Sequence, residues 1–249
     1  MSQEVVTTGV WVAGAVIALA AGYVQGLTGL GFAIVFTPLY VLFVPRPHEV
    51  VLLSLLLGTV LSLGVLADSR RAFRVRRSVP LLVGAAVGTP AGVAVLSFVP
   101  NDALTILIAV TALVAAALWI VRLPPPTSHE TAAVGLAGLL GGFLNGSTSM
   151  GGPPPALVAS MQRWPVQESR AALTTFNLAS YVIAVAVGLT AGLADGGFLL
   201  RGLLLLPVAI GGSILGAWSA RRVSRQAFGR VLAGVVCVAG VLALVSTFT

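Results

Sequence analysis

The chain has 249 residues, of which 57% are hydrophobic and only 8% charged, and its mean hydropathy is +1.04. Because an average soluble domain carries about 25% charged residues, this composition excludes a soluble globular protein. The formal charge of +7 comes from 14 arginines without any lysine, and these arginines lie at the ends of apolar stretches. Their placement indicates membrane topology rather than nucleic-acid binding.

Apolar stretches in chain order predict membrane-spanning helices, since about 20 residues of helix cross the roughly 30 Å of hydrocarbon. Six such stretches lie at roughly 48–67, 78–98, 102–122, 170–193, 198–219 and 227–248. Each set of three stretches is preceded by a pair of shorter apolar pieces, at about 9–24 with 32–44 and at about 131–144 with 153–162. We interpret each pair as a broken helical hairpin whose tip lies near the membrane midplane. The alternative is that all ten pieces are short, tilted full crossings.

The tips of the two hairpins have related sequences, GYVQGLTGLGF at 22–32 and GFLNGSTSMGG at 142–152. In this alignment Gln25 meets Asn145, and Thr28 meets Thr148. The match indicates an internal repeat. We predict a first repeat at 1–122, a cytoplasmic linker at 123–130 and a second repeat at 131–249.

The arginines also predict the orientation of the two repeats. The loop at 68–77 is rich in arginine and is therefore expected to be cytoplasmic, whereas the equivalent loop at 192–197 has none. The arginine content is reversed in the following turns, since 97–102 in the first half has no arginine whereas 220–230 in the second half is basic. The predicted fold is thus an all-α polytopic membrane protein. It consists of two inverted repeats, each a broken helical hairpin plus three transmembrane helices, with both chain ends outside.

The two breaks are candidate substrate sites. Irregular backbone at membrane depth is tolerated only where it is buried in protein or lines a wet cavity, and inverted-repeat transporters bind substrate there. Glycine allows a ligand to approach the backbone, hydroxyl groups donate hydrogen bonds, and a helix N-terminus favours an anion. The candidate substrate-binding residues are Gln25, Gly26, Thr28, Gly29 and Gly31 in the first break and Asn145, Gly146, Ser147, Thr148, Ser149, Gly151 and Gly152 in the second.

Two qualifications apply to these breaks. The helix after the second break begins with three prolines at 153–155, which lack N–H groups, so that break is expected to be the weaker anion binder. Small residues also let membrane helices pack closely, and packing alone stays open as the explanation of the glycines.

A polar face on the predicted helix at 170–193 adds further candidates. Arg170, Thr174, Asn177 and Tyr181 follow the spacing i, i+4, i+7 and i+11, which places them on one side of a helix. We predict that Arg170 supplies the positive charge that receives an anion, with Thr174 and Asn177 beside it. The alternative is an interfacial arginine that pairs with a lipid headgroup or with Glu168.

Other chemistry is poorly supported by the sequence. No acidic residue lies deep in a predicted span, so a carboxylate relay for proton coupling is not expected. No histidine lies in a span to act as a catalytic base, and Cys237 is the only cysteine. We therefore expect no enzyme activity, no metal and no cofactor.

Three stretches resemble the sulfite exporter TauE/SafE family of membrane anion permeases: GYVQGLTGLGFAIVFTPLY at 22–40, GGFLNGSTSMGGPPPAL at 141–157 and WPVQESRAALTTFNLASY at 164–181. The resemblance covers both halves of the chain. It implies export of sulfite, organosulfonates or related small sulfur-containing anions across a prokaryotic plasma (inner) membrane.

The expected function is therefore alternating-access transport of a small anion, with the lipid bilayer as its other partner and no role for nucleic acid. Two alternatives stay open. One is an uptake permease or channel for a related anion, and the other is a membrane scaffold subunit without transport activity.

Overall fold

A computed structural model of the protein describes residues 3–69, 72–118, 127–219 and 225–248, without the side chains of 3–8, 68, 225–232, 246 and 248. Within these ranges the chain is helical and contains no strand. The helices are α1 (Gln3–Thr28), α2 (Phe32–Tyr40), α3 (Pro47–Ser69), α4 (Val75–Phe98), α5 (Asn101–Leu118), α6 (Glu130–Thr148), α7 (Pro153–Met161), α8 (Val166–Thr190), α9 (Phe198–Ser219) and α10 (Arg225–Phe248).

The predicted all-α membrane architecture is confirmed. In the described part of the chain, six helices are long and apolar enough to cross a membrane: parts of α1 and α3, and all of α4, α5, α8 and α9. The helices α2 and α7 have nine residues each. A helix of that length spans only about 14 Å, so neither can cross the hydrocarbon alone.

The first arm of each hairpin is longer than predicted. Helix α1 ends at Thr28 and α6 ends at Thr148, so most of the polar motif residues lie inside the last helical turns rather than in a loop. Each threonine hydroxyl donates a hydrogen bond to a carbonyl one turn earlier. Thr28 donates to the carbonyl of Val24 at 2.8 Å, and Thr148 donates to that of Leu144 at 2.8 Å. These bonds keep the hydroxyls paired within the helix.

Glycines form the close crossing of α1 with α9. A Cβ built on Gly22 or Gly26 would lie 2.2 Å from the carbonyl oxygen of Ala209 or 1.9 Å from that of Ser213. From the opposite side, a Cβ on Gly212 would lie 2.2 Å from the carbonyl oxygen of Leu19. Side chains larger than hydrogen would therefore force these helices apart.

The crossing of α4 with α6 is built in the same way. A Cβ on Gly88 would lie 2.1 Å from the carbonyl oxygen of Leu139, and one on Gly146 would lie 2.3 Å from that of Thr89. In the predicted repeat α1 corresponds to α6, and α9 corresponds to α4. Each crossing therefore joins a helix of one predicted half to a helix of the other, and the two crossings correspond to each other in the predicted repeat.

The repeat, its inversion and the division of the chain at 122 and 130 stay predictions. Several of the residues on which they depend lie outside the described ranges. These are 70–71 in the first basic loop, 220–224 in the second, and 119–126, which include half of the predicted linker and the end of the stretch 102–122.

The core surrounds α2 and α3. On α2, the rings of Phe32 and Phe36 stack with centroids 5.1 Å apart, and the ring of Tyr40 follows at 5.0 Å from Phe36. Leu52 and Leu55 of α3 are also fully buried. This packing fixes the short helix α2 and places the break that precedes it in the interior of the protein.

Candidate functional site

The first break separates α1 from α2 through two glycines. Gly29 has a φ of 79° and Gly31 a φ of 116°, both in the left-handed region that favours glycine. The N–H of Gly29 donates to the carbonyl of Gln25 at 2.7 Å, which closes the last turn of α1. The side-chain Oε1 of Gln25 accepts from the N–H of Phe32 at 3.1 Å. Gln25 therefore ties the end of α1 to the start of α2.

The second break repeats this arrangement with different residues. Ser149, with a φ of 62°, takes the place of Gly29, and its N–H donates to the carbonyl of Asn145 at 2.9 Å. The side-chain Oδ1 of Asn145 accepts from the N–H of Gly151 at 2.6 Å. A Cβ on Gly151 would lie 1.9 Å from the carbonyl oxygen of Gly141, so this glycine is required for packing.

Asn145 also connects the second break to α8. Its Nδ2 donates to Oδ1 of Asn177 at 3.3 Å and to Oγ of Ser180 at 2.6 Å. The side chain is fully buried, and both its oxygen and its nitrogen are used. Asn145 thus holds the break together and is not free to bind a substrate.

We predict that Asn145→Ala destabilises the protein by about 2–3 kcal/mol, because buried partners on Gly151 and Ser180 would lose their hydrogen bonds. Gln25→Ala is the matched control and should cost less, since its clear partner is the single N–H of Phe32. Thermal unfolding in detergent would measure both. Equal shifts for the two variants would contradict this assignment.

The two breaks meet α8 at a central cavity of about 110 Å³. A cavity of this measure holds several water molecules and is in the size range of a small oxyanion. Its lining residues are Thr28, Leu30, Gly31, Ala33, Ile34, Ser149, Met150, Gly152, Pro153, Ala156, Asn177 and Tyr181. Residues of both breaks and of α8 therefore line one cavity.

Hydrogen-bond donors line the central cavity, and no carboxylate does. Asn177 uses its oxygen to accept from Asn145, which leaves its NH₂ group without an acceptor among the described residues. The hydroxyl of Tyr181 likewise has no partner in the described part of the chain. Ala33 and Ile34 lie in the first turn of α2, where N–H groups have no intrahelical acceptor. The cavity is thus suited to a hydrogen-bond acceptor of negative charge.

A second, wider cavity of about 410 Å³ adjoins the central one. It shares Thr28 and Leu30 with the central cavity and is lined by Arg163, Trp164 and Arg170 among others. We call it the Arg170 vestibule.

Arg170 is the only arginine that lies against a break in the described residues. A Cβ on Gly29 would lie 3.0 Å from its Nε, and that Nε is buried with no hydrogen-bond partner. The hydroxyl of Thr174, one turn further along α8, is also buried and unpartnered. The pairing of Arg170 with Glu168, which belongs to the alternative interpretation, is not seen, since Glu168 instead pairs with Arg74 and Arg77. An unpaired cationic side chain next to the break is therefore positioned to receive an anion.

A third cavity of about 370 Å³ lies around Tyr40, Arg46 and Val50. In the predicted repeat Val50 corresponds to Arg170, so this cavity has no equivalent of that unpaired arginine. The cations are instead paired: Glu49 contacts Arg46 at 2.6 Å and Arg201 at 3.1 Å, and Arg201 also bonds Asp195. The two cavities thus differ in the charge that they offer an anion.

The structure divides the predicted site residues into three groups. Thr28, Gly31, Ser149, Gly152 and Asn177 line the central cavity, and Arg170 lines the vestibule. Gly29 and Thr174 lie beside Arg170 without lining either cavity. The others contact neighbouring helices or hold the breaks: Gln25, Gly26, Asn145, Gly146, Ser147, Thr148 and Gly151.

Sequence reasoning left Tyr181 out of the candidate site, although it belongs to the polar face that begins at Arg170. The helical spacing of Tyr181 from Arg170, i and i+11, is the signal that would have placed it in the candidate site. Thr37 was also missed. Its hydroxyl lies 2.6 Å from that of Ser149 and connects α2 of one half to the break of the other.

Nearly the whole chain matches a known family. A family model described as sulfite exporter TauE/SafE covers residues 14–243. The chain belongs to the TauE/SafE family. This TauE/SafE protein is accordingly a membrane transporter of sulfur-containing anions, and the family consists of transporters rather than enzymes. Neither the curated proteins nor the solved structures gave a match to it.

Proposed function

We propose that this TauE/SafE protein exports sulfite or small organosulfonates by alternating access, with the central cavity as the substrate site. The single observation that carries the proposal is the cavity between the two breaks and α8, because it combines unpaired donors with a neighbouring unpaired arginine. The proposed binding residues are Thr28, Gly31, Ser149, Gly152, Asn177 and Tyr181, with Arg170 at the entrance.

The donors of the central cavity are neutral, which suits a singly charged anion. The amide of Asn177 and the hydroxyl of Tyr181 offer hydrogen bonds from α8. The start of α2 adds N–H groups and the positive end of a helix dipole. The prolines that begin α7 contribute no N–H groups, so α2 makes the larger contribution.

The apolar part of the lining bears on the kind of anion. Leu30, Ile34, Met150 and Ala156 line the same small cavity as the donors. These side chains provide contacts for the carbon chain of an organosulfonate while its charged group faces the donors. Sulfite would use the donors alone.

Arg170 is suited to attract the anion into the vestibule before it binds in the central cavity. Its guanidinium lies in the vestibule, which meets the central cavity at Thr28 and Leu30. Arg170 is half-buried and has no carboxylate partner among the described residues, so solvent screens its charge only in part and it attracts anions. An anion would reach Arg170 first and then pass to the neutral donors beyond it.

Two groups of ion pairs at the ends of the repeats fit a mechanism of alternating access. When α4 is aligned with α9 so that Gly88 meets Gly212, Arg77 on α4 meets Arg201 on α9. Arg77 pairs with Glu168 at the start of α8, and Arg201 pairs with Glu49 at the start of α3. In the proposed cycle, one group opens while the other stays closed, so that the central cavity faces one side at a time.

The predicted topology supports outward movement of the anion. If the basic loops are cytoplasmic, the vestibule of Arg170 opens to the cytoplasm of a prokaryotic cell, since Glu168 near it pairs with Arg74 and Arg77. Moving a monoanion out of an inside-negative cell gains about 2.3 kcal/mol per 100 mV, so export needs no coupling ion.

Flux in proteoliposomes tests the proposal. We expect sulfite or methanesulfonate to leave vesicles faster when a potassium gradient with valinomycin makes the inside negative, because the potential drives the anion outward. Protein-free vesicles and vesicles with the Arg170→Gln variant are the controls. Strict dependence on a proton or sodium gradient would favour a coupled uptake permease. No flux of any tested sulfur-containing anion would favour the scaffold alternative.

A further inference from the structure

A separate polar cavity lies at the start of α4, around the ion pair of Arg77 with Glu168. Its volume is about 370 Å³, and its lining includes Arg74, Arg76, Arg77, Glu130 and Glu168. It shares no lining residue with the central cavity or with the Arg170 vestibule. We call it the α4 pocket.

The carboxylates of the α4 pocket are paired chiefly with Arg77. Its guanidinium bonds Glu168 and lies 3.3 Å from Oε1 of Glu130, and it also covers the ring of Trp164 at 5.0 Å. Trp164 in turn donates from Nε1 to Glu130 at 2.7 Å. These contacts use Nε and one terminal nitrogen of Arg77, and they offset part of the negative charge of the two carboxylates.

Arg74 and Arg76 provide the positive charge that remains. Arg74 makes one contact with Glu168, from Nε at 3.3 Å, and 68% of its side chain is exposed. Arg76 forms no ion pair with any described residue. Three arginines against two glutamates give the lining a net positive charge. Guanidinium groups bind phosphate through paired hydrogen bonds, so these two side chains favour an oxyanion.

The surface of α4 next to the pocket is apolar and faces outward. Val75, Val79, Val83 and Val87 are all exposed, Val87 by 65%. They follow i, i+4 spacing and form one stripe along about 18 Å of helix. That length is close to one leaflet, about half of the roughly 30 Å of hydrocarbon. An anion held at the end of this stripe would have space for acyl chains along it.

We propose that the α4 pocket binds the phosphate group of an anionic phospholipid, with Arg74 and Arg76 as its ligands and the valine stripe against its acyl chains. Basic pockets between membrane helices on the cytoplasmic side are suited to such headgroups. A bound lipid would connect α4, α6 and α8 at the same membrane face. The inference does not depend on which anion the protein transports.

The test compares dioleoyl phosphatidylglycerol with dioleoyl phosphatidylcholine, which have the same chains, by native mass spectrometry of the purified full chain in detergent. We expect the wild type to prefer phosphatidylglycerol. Arg74→Gln and Arg76→Gln should each weaken that binding about fivefold, because each removes one arginine near an anionic surface. Arg163→Gln, an arginine of the neighbouring vestibule, is the matched control and should keep the preference.

Three outcomes would overturn the proposal. The first is equal binding of the two lipids by the wild type, which needs no variant and holds even if a variant does not fold. The second is full phosphatidylglycerol binding by the double variant of Arg74 and Arg76. The third is displacement of the lipid by inorganic phosphate at an ionic strength matched with chloride, which would identify a site for soluble anions instead.

Discussion

Arg170→Gln is expected to lower anion flux at least tenfold while leaving the protein folded. The Nε of Arg170 has no hydrogen-bond partner in the described structure, so its loss removes no internal ion pair. A hydrogen bond to a charged group contributes about 1.5–3 kcal/mol, which corresponds to roughly tenfold or more in affinity. The substitution would remove both that bond and the one cation that lies beside the first break in the described part of the chain.

Arg170→Lys separates charge from geometry. A lysine keeps the positive charge but cannot form paired hydrogen bonds to an oxyanion, so we expect an intermediate flux. Arg163→Gln is a second comparison, because Arg163 is exposed in the same vestibule and water screens its charge. Its loss should reduce flux less than the loss of Arg170.

Flux would be measured with sulfite in proteoliposomes, and folding by thermal unfolding and size-exclusion chromatography in detergent. The concentration dependence of the rate would separate weaker binding from slower transport. Unchanged flux in folded Arg170→Gln would reduce Arg170 to an interfacial anchor. Equal losses for Arg163→Gln and Arg170→Gln would indicate a general effect of vestibule charge.

The largest expected effect on stability is that of Gly212→Ala. The added Cβ would lie 2.2 Å from the carbonyl oxygen of Leu19, and a backbone atom of a packed helix cannot move aside without shifting the whole helix. Overpacking costs about 1–3 kcal/mol or more. We expect a fall in the unfolding temperature on the order of 5 °C or more, with a lower yield of folded protein.

The adjacent residue provides a matched control. A Cβ on Gly211 would have no atom within 4 Å, so Gly211→Ala should be neutral or slightly stabilising, since alanine is the better helix former. Thermal unfolding of the two variants in the same detergent is the measurement. Similar stabilities would mean that α1 and α9 can separate at little cost, contrary to the packing described above.

Much of the architecture could be predicted from the sequence because membrane-spanning length and apolar composition are local properties. The long apolar stretches became helices, and the two breaks became breaks between a longer and a shorter helix. The ends of α1 and α6 were placed too early. Polar residues such as Gln25 and Asn145 look like loop residues until their partners are known, and those partners, Phe32 and Gly151, lie beyond the break.

The candidate site was predicted less precisely. The glycines of the two motifs are chemically identical, yet Gly26 and Gly146 face helix backbones whereas Gly31 and Gly152 line the cavity. The sequence cannot separate these roles, because a glycine's role depends on which atoms of other helices lie opposite it. The same holds for the ion pair of Arg77 with Glu168, whose residues are far apart in the chain.

By itself, then, the amino-acid order determined a helical membrane protein of the TauE/SafE family with two polar breaks and a polar face on α8. Hydropathy, turn-forming residues and helical spacing act over a few neighbouring residues, and these features depend only on them. The tertiary structure alone decided that the breaks enclose one cavity, that the side chain of Asn145 forms its hydrogen bonds within the protein and that Arg170 is left without a carboxylate partner. Those properties depend on contacts between helices, and such contacts exist only once the chain has packed.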